Sequence, residues 1–93
     1  MYKLNYYVRN TENLSSKEQN YEYLGIGEFF RLRRNALHYL FDIVQNEYRA
    51  NGYTTEVRAG SLYNYKSEKT AQGERKVTEI LIKVEKIEKG ARV

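Results

Sequence analysis

Residues 28–51 read EFFRLRRNALHYLFDIVQNEYRAN, and the period of their apolar positions decides the fold. At roughly 100° per residue, Phe29, Phe30, Leu32, Ala36, Leu37, Tyr39, Leu40, Phe41, Ile43, Val44 and Tyr48 gather on one arc. Arg31, Arg34, His38, Asp42, Gln45 and Arg49 fall opposite. That spacing predicts a helix over 28–51 lying on an apolar surface, ended by Asn51 and a left-handed cap at Gly52. Arg31, Arg33 and Arg34 occupy its first two turns, where each cation is disfavoured by about 0.3–1 kcal/mol. A placement that costs stability points to a use. Arg33 falls inside the apolar arc, so either its side chain snorkels past the sheet edge or regular helix begins nearer Asn35.

Outward from the helix the period changes to two. Tyr2, Leu4, Tyr6 and Val8 alternate with Lys3, Asn5, Tyr7 and Arg9, a half-buried first strand. Residues 10–20 are polar and are read as a loop, with Ser15 and Glu18 spaced as a capping pair. Tyr21–Leu24 reads as a short strand before Gly25 and Gly27 turn the chain into the helix. Beyond the helix, residues 53–66 place Tyr53, Thr55, Val57, Ala59, Ser61, Tyr63 and Tyr65 in one phase, with Gly60 marking a bulge. A polar connection over 67–74 leads to a last strand over 75–88, whose core candidates are Ile80, Ile82 and Val84. Leu81 and Ile87 fall on the other phase, which implies a partly covered second face, such as a dimer contact. Residues 89–93 are expected to fray. The result is a single α+β domain over 1–93, in β-α-β-β order, with one long helix on a mainly antiparallel sheet.

Composition narrows the chemistry. There is no Cys and one His, so disulfides and thiolate metal sites are excluded, and no metal or cofactor is expected. No apolar run approaches the roughly 20 residues that span a bilayer, so a cytoplasmic protein without a membrane partner is expected. Lys and Arg outnumber Asp and Glu by 16 to 12, a mild excess that gathers after residue 51. Ten Tyr without Trp or Pro is the more unusual feature. Tyrosine serves base stacking and protein interfaces alike, although an AT-rich coding sequence would enrich Tyr, Asn and Lys with no ligand at all.

His38 and Asp42 are four residues apart and read as a surface ion pair, with no nucleophile to serve. Glu79 and Lys83 invite comparison with metal-dependent nucleases, but the only Asp lies on the helix and no second carboxylate converges. Tyr23-Leu24-Gly25, followed by Arg33 and His38, resembles the second half of the GIY-YIG endonuclease signature. The resemblance covers roughly a sixth of the chain and implies a nuclease, while the first half reads Asn5-Tyr6-Tyr7 where that family has Gly-x-Tyr. The stronger lead is basic and aromatic: Arg31, Arg33 and Arg34 at the helix start, and Lys66, Lys69, Arg75 and Lys76 around the last connection, with Tyr63 and Tyr65 beside it. These residues point to a small non-catalytic protein that binds nucleic acid or modulates a nucleic-acid-processing enzyme, of the anti-CRISPR or host-takeover kind carried by phages and mobile elements. A self-associating structural module is the alternative, and a GIY-YIG-like nuclease the remote one.

Overall fold

The computed structural model describes residues 1–11 and 21–87. The polar segment with Ser15 and Glu18, and the tail over 89–93, lie outside the described residues. The alternation at the N-terminus becomes β1 (Tyr2–Thr11), which takes in Asn10 and Thr11 as well. Strands β2 (Glu22–Phe30), β3 (Thr54–Arg58), β4 (Ser61–Lys69) and β5 (Arg75–Lys86) complete one antiparallel sheet in the order β2-β1-β5-β4-β3. Among the described residues a single helix of 18 residues packs on one face of it, so the class is α+β.

The chain order is β-β-α-β-β-β, and two local readings account for the difference from β-α-β-β. The first concerns Glu28–Phe30, which belong to β2 and not to the helix: Phe30 and Phe29 pair with Tyr2 and Lys3 of β1. Aromatic residues fit either period, and the ladder bonds offered by β1 decide in favour of the strand. Gly25 and Gly27 thus lie inside a long strand with two register shifts, not in a turn. The second concerns 53–66, which is a hairpin. Ala59 and Gly60 form a two-residue loop between the paired Arg58 and Ser61, Gly60 taking the φ of 72° that the loop demands. A two-residue loop reverses the phase, so Thr55 and Val57 share the helix face with Leu62 and Asn64, while Tyr63 and Tyr65 turn to the other.

The helix begins as α1 (Arg33–Tyr39), passes through a π-helical turn at Leu40–Val44, and ends as α2 (Gln45–Ala50). Leu32 is extended and offers its carbonyl to the amides of Asn35 and Ala36. At the far end the Tyr53 amide donates to Tyr48 O and the Gly52 amide to Arg49 O, a Schellman closure that requires the left-handed Gly52, φ 86°. The π turn underwinds the helix, so residues four apart, Ala36, Leu40 and Val44, stay on the sheet side. Ile43, apolar on the ideal wheel, is consequently 47% exposed.

Leu4, Ala36, Leu40, Val44, Leu62, Ile80 and Ile82 form the core between helix and sheet. Two polar residues interrupt it. The Gln45 amide lies 2.8 Å from Thr55 Oγ1 and ties the helix to β3. Asn64 donates to Ile80 O at 3.2 Å, but its Oδ1 has no partner among the described residues. No helix among the described residues is long and apolar enough to cross a membrane.

The core sets the stability expectations. Leu40→Ala is expected to cost about 2–5 kcal/mol in urea unfolding, whereas Asn64→Leu, which removes a buried orphan acceptor at similar volume, should cost nothing or stabilise by about 1 kcal/mol. A large loss in Asn64→Leu would mean that the amide anchors the sheet.

Candidate interaction face

The sheet has five strands and the helix covers one face, so the other face is built from off-phase residues alone. A cross-strand row runs through it from edge to edge: Tyr23, Tyr7, Leu81, Tyr63 and Glu56. Residues directly opposite in adjacent strands point to the same side, and the contacts agree. The Tyr7 and Tyr23 rings have centroids 5.4 Å apart, and those of Tyr63 and Tyr65 5.9 Å. Leu81 is half-buried in the middle of the row, so the second apolar phase of β5 is covered in part by the protein's own tyrosines.

Two carboxylates hold this face together. Glu79 receives Arg9 Nε at 2.7 Å and Nη2 at 2.8 Å, a bidentate pair, and the Tyr63 hydroxyl donates to it at 2.6 Å. These donors keep the Glu79 carboxyl below its ordinary value of 4.5, the Arg9 guanidinium contributing most, against the opposing effect of burial. Burial, and then donation to Glu79, pushes the Tyr63 hydroxyl well up. Glu85 is the second centre: it accepts from Asn5 Nδ2 at 2.7 Å and from the Tyr7 hydroxyl at 2.9 Å. Asn5 in turn accepts from the Tyr23 hydroxyl at 3.0 Å, and its amide lowers the Glu85 carboxyl.

Cations lie over the rings. The Arg58 guanidinium is 4.3 Å from the Tyr63 ring centroid, Arg9 4.5 Å from that of Tyr21, and Lys83 Nζ 5.3 Å from that of Tyr7. By register the face carries Lys3, Arg9, Arg58, Lys69, Arg75 and Lys83 against Glu56, Glu79 and Glu85. Its potential is therefore positive even though Arg9 and Arg58 are paired with Glu79 and Glu56.

The residues singled out in the sequence are distributed over three places. Tyr63 and Tyr65 lie on this face, and Lys69 and Arg75 pair on its last rung, beside the β4–β5 turn. Lys66 is on the helix face, its Nζ 5.5 Å from the Tyr53 ring centroid, and Lys76 pairs with Glu68 in the same phase. Arg31, Arg33 and Arg34 are exposed at the helix start. There Arg33 Nη2 comes within 3.0 Å of where a Cβ on Gly60 would stand, so its side chain reaches past the core to the β3–β4 turn. That turn and the Lys69–Arg75 rung lie at opposite ends of β4, roughly 26 Å apart at 3.3 Å per residue. The two basic clusters do not converge.

Tyr7, Tyr21, Tyr23, Arg9, Arg58 and Lys83 are the additions. Their signal was present in β1, where Tyr7 and Arg9 share the nominally wet phase, and in Leu81, an apolar residue on the matching phase of β5. The GIY-YIG-like residues are separated: Tyr23 bonds Asn5 on the helix-free face, while His38 stands on the helix, 79% exposed and 3.1 Å from Asp42. Among the described residues no three His, Asp or Glu side chains are grouped to hold a metal. No protein-family model, curated protein or solved structure matches this chain, so a functional reading rests on the face itself.

Glu79→Gln is expected to lower stability at neutral pH by about 1–3 kcal/mol, because Arg9 loses its charge partner in a mostly buried setting. A depressed folded-state value means that this contribution is present above 4.5 and is lost as the pH falls below it. Urea midpoints of wild type and variant should therefore converge under acidic conditions. A constant gap across pH would show that Glu79 acts by shape and not by charge.

Proposed function

We propose that this protein binds single-stranded nucleic acid across its helix-free sheet face, without catalysis and with little sequence preference. The observation that carries the reading is the row Tyr23–Tyr7–Leu81–Tyr63 with Arg58 and Lys83 set over its Tyr63 and Tyr7 rings, and Arg9 over the neighbouring Tyr21. Flat rings interleaved with cations are what an unpaired strand needs, since every base has a face to stack and every linkage a charge to neutralise. Tyr23 and Tyr65 keep 51% and 39% of their surface exposed and are the rings open to a base. The Arg9 and Arg58 guanidiniums, held 4.5 and 4.3 Å from the Tyr21 and Tyr63 ring centroids, set charge beside the rings.

Binding of labelled single-stranded DNA and RNA at several salt concentrations tests this reading. The affinity should fall with salt by about 0.7 log units per log unit of salt for each phosphate contacted. Tyr23→Ala and Tyr65→Ala should each weaken binding by about 1–3 kcal/mol. Alanine at Arg31, Arg33 and Arg34 together should have a smaller effect, because those residues lie off this face. Loss of binding in the triple variant alone would move the site to the helix start.

A second reading, a protein target, has its own support. Edge strand β2 leaves Leu24, Ile26 and Phe29 about half exposed, and an apolar edge is where another chain adds. A nucleic-acid-handling enzyme or a second copy of this chain would fit there. Binding that is absent for every oligonucleotide even at low salt selects this reading.

A further inference from the structure

The helix side of the molecule holds a cleft that the interaction face does not use. The helix crosses the sheet obliquely, α1 against β2 and α2 against β3. Near its C-terminal end, the β1 side of the sheet is therefore left open. The cleft there has a volume of about 330 Å³ and is lined by Tyr6, Val44, Glu47, Tyr48, Asn51 and Tyr53. That is the lower end of the range for small-molecule pockets, roughly 300–1,000 Å³, and suits a head group more than an extended ligand. One wall is fixed by contact with β2, where a Cβ on Gly27 would meet Tyr6 Cε1 at 2.5 Å.

Three tyrosine rings and one carboxylate, that of Glu47, stand in the lining. Tyr48 and Tyr53 meet edge to face, with centroids 5.1 Å apart and planes at 87°, so they form a corner and not a stack. Burial first, and then the neighbouring tyrosines and Glu47, push the Tyr48 hydroxyl up to about 12. Glu28 and Glu47 both act on Tyr6, after burial and Tyr39, in the same direction. The negative end of the helix dipole falls at the same place, since Tyr48 and Asn51 belong to its last turn and cap. The recess is thus aromatic-walled, with the Glu47 carboxylate in its lining and the helix C-terminus beside it. Tyr53 already attracts a cation of the protein itself, Lys66 Nζ at 5.5 Å.

We propose that this cleft binds an alkylammonium group, with the Tyr6, Tyr48 and Tyr53 rings enclosing its hydrocarbon surface and Glu47 balancing its charge. Aromatic corners with an adjacent carboxylate favour such cations because the ring faces are negative and the partly dehydrated ion keeps its attraction to them. The group can arrive on a free small molecule or on a lysine side chain of another protein, and the chemistry is shared. The cleft lies on the opposite side of the sheet from the proposed nucleic-acid face, so its occupancy does not depend on that reading.

Titration of the full chain with tetramethylammonium, choline and a trimethyllysine peptide, followed by the tyrosine ring signals in NMR spectra, tests this site. The neutral choline analogue 3,3-dimethylbutanol serves as the control. The cations are expected to shift the Tyr48 and Tyr53 rings, with the neutral analogue at least about tenfold weaker and Glu47→Gln reducing cation affinity by about five- to tenfold. Glu47 is exposed on the helix, so this variant keeps its fold, and Tyr53→Leu should weaken binding similarly. A peptide that binds far more tightly than tetramethylammonium identifies a protein side chain as the source; equal affinities identify a free small molecule. Equal binding of the neutral analogue, or an unchanged affinity in Glu47→Gln, overturns the proposal, as does the absence of any ring shift.

Discussion

The bidentate contact between Arg9 and Glu79 is the interaction on which the second half of this structure depends. One helix of 18 residues buries only one side of a five-stranded sheet. The other side has only Val77 and Leu81 as aliphatic residues of β5, Leu81 at its centre, and must be held by something other than an apolar core. Glu79 supplies that by joining β1 to β5 through Arg9 and, through the Tyr63 hydroxyl, β5 to β4. Arg9 keeps about a third of its side chain in water while Glu79 is buried, and the directional bonds from Arg9 and Tyr63 offset the cost of dehydrating the carboxylate. Glu85 repeats the device one end further along, joining Asn5, Tyr7 and indirectly Tyr23.

This way of holding a face has a functional corollary. An apolar face would demand a permanent cover, whereas a face of tyrosines fixed by their hydroxyls can stay in water and still offer ring surface. The hydroxyl is used inward, toward Glu79, Glu85 or Asn5, and the ring remains for an incoming partner. Cations outnumber carboxylates on the helix-free side, while on the other side the Glu47 carboxylate and the helix C-terminus lie at the cleft.

Much of this organisation was legible in the residues, and the misreadings share a cause. The alternation of Tyr2 to Arg9 identified a strand, and Ile80, Ile82 and Leu81 identified both phases of β5, because strict period two has no helical equivalent. Glu28–Phe30 misled because paired aromatics satisfy either period, and only the partner strand β1 settles which one is used. The stretch 53–66 misled because a two-residue loop at Ala59-Gly60 hides in a run of alternating residues and inverts everything after it. That inversion is why Tyr63 and Tyr65 stand on the opposite side of the sheet from Thr55 and Val57. The Arg9–Glu79 pair, separated by 70 positions, has no local signature at all.

The central claim is that the helix-free face, not the helix start, is the working surface, and the most direct test is to map contacts residue by residue. Tyrosine and arginine side-chain signals would be followed by NMR as an unlabelled single-stranded oligonucleotide is added at low salt. Shifts are expected at Tyr23, Tyr63, Tyr65, Arg9 and Arg58, with Tyr48 and Tyr53 on the helix side undisturbed. Shifts confined to Arg31, Arg33 and Arg34, or spectra that do not change at saturating oligonucleotide, would contradict it.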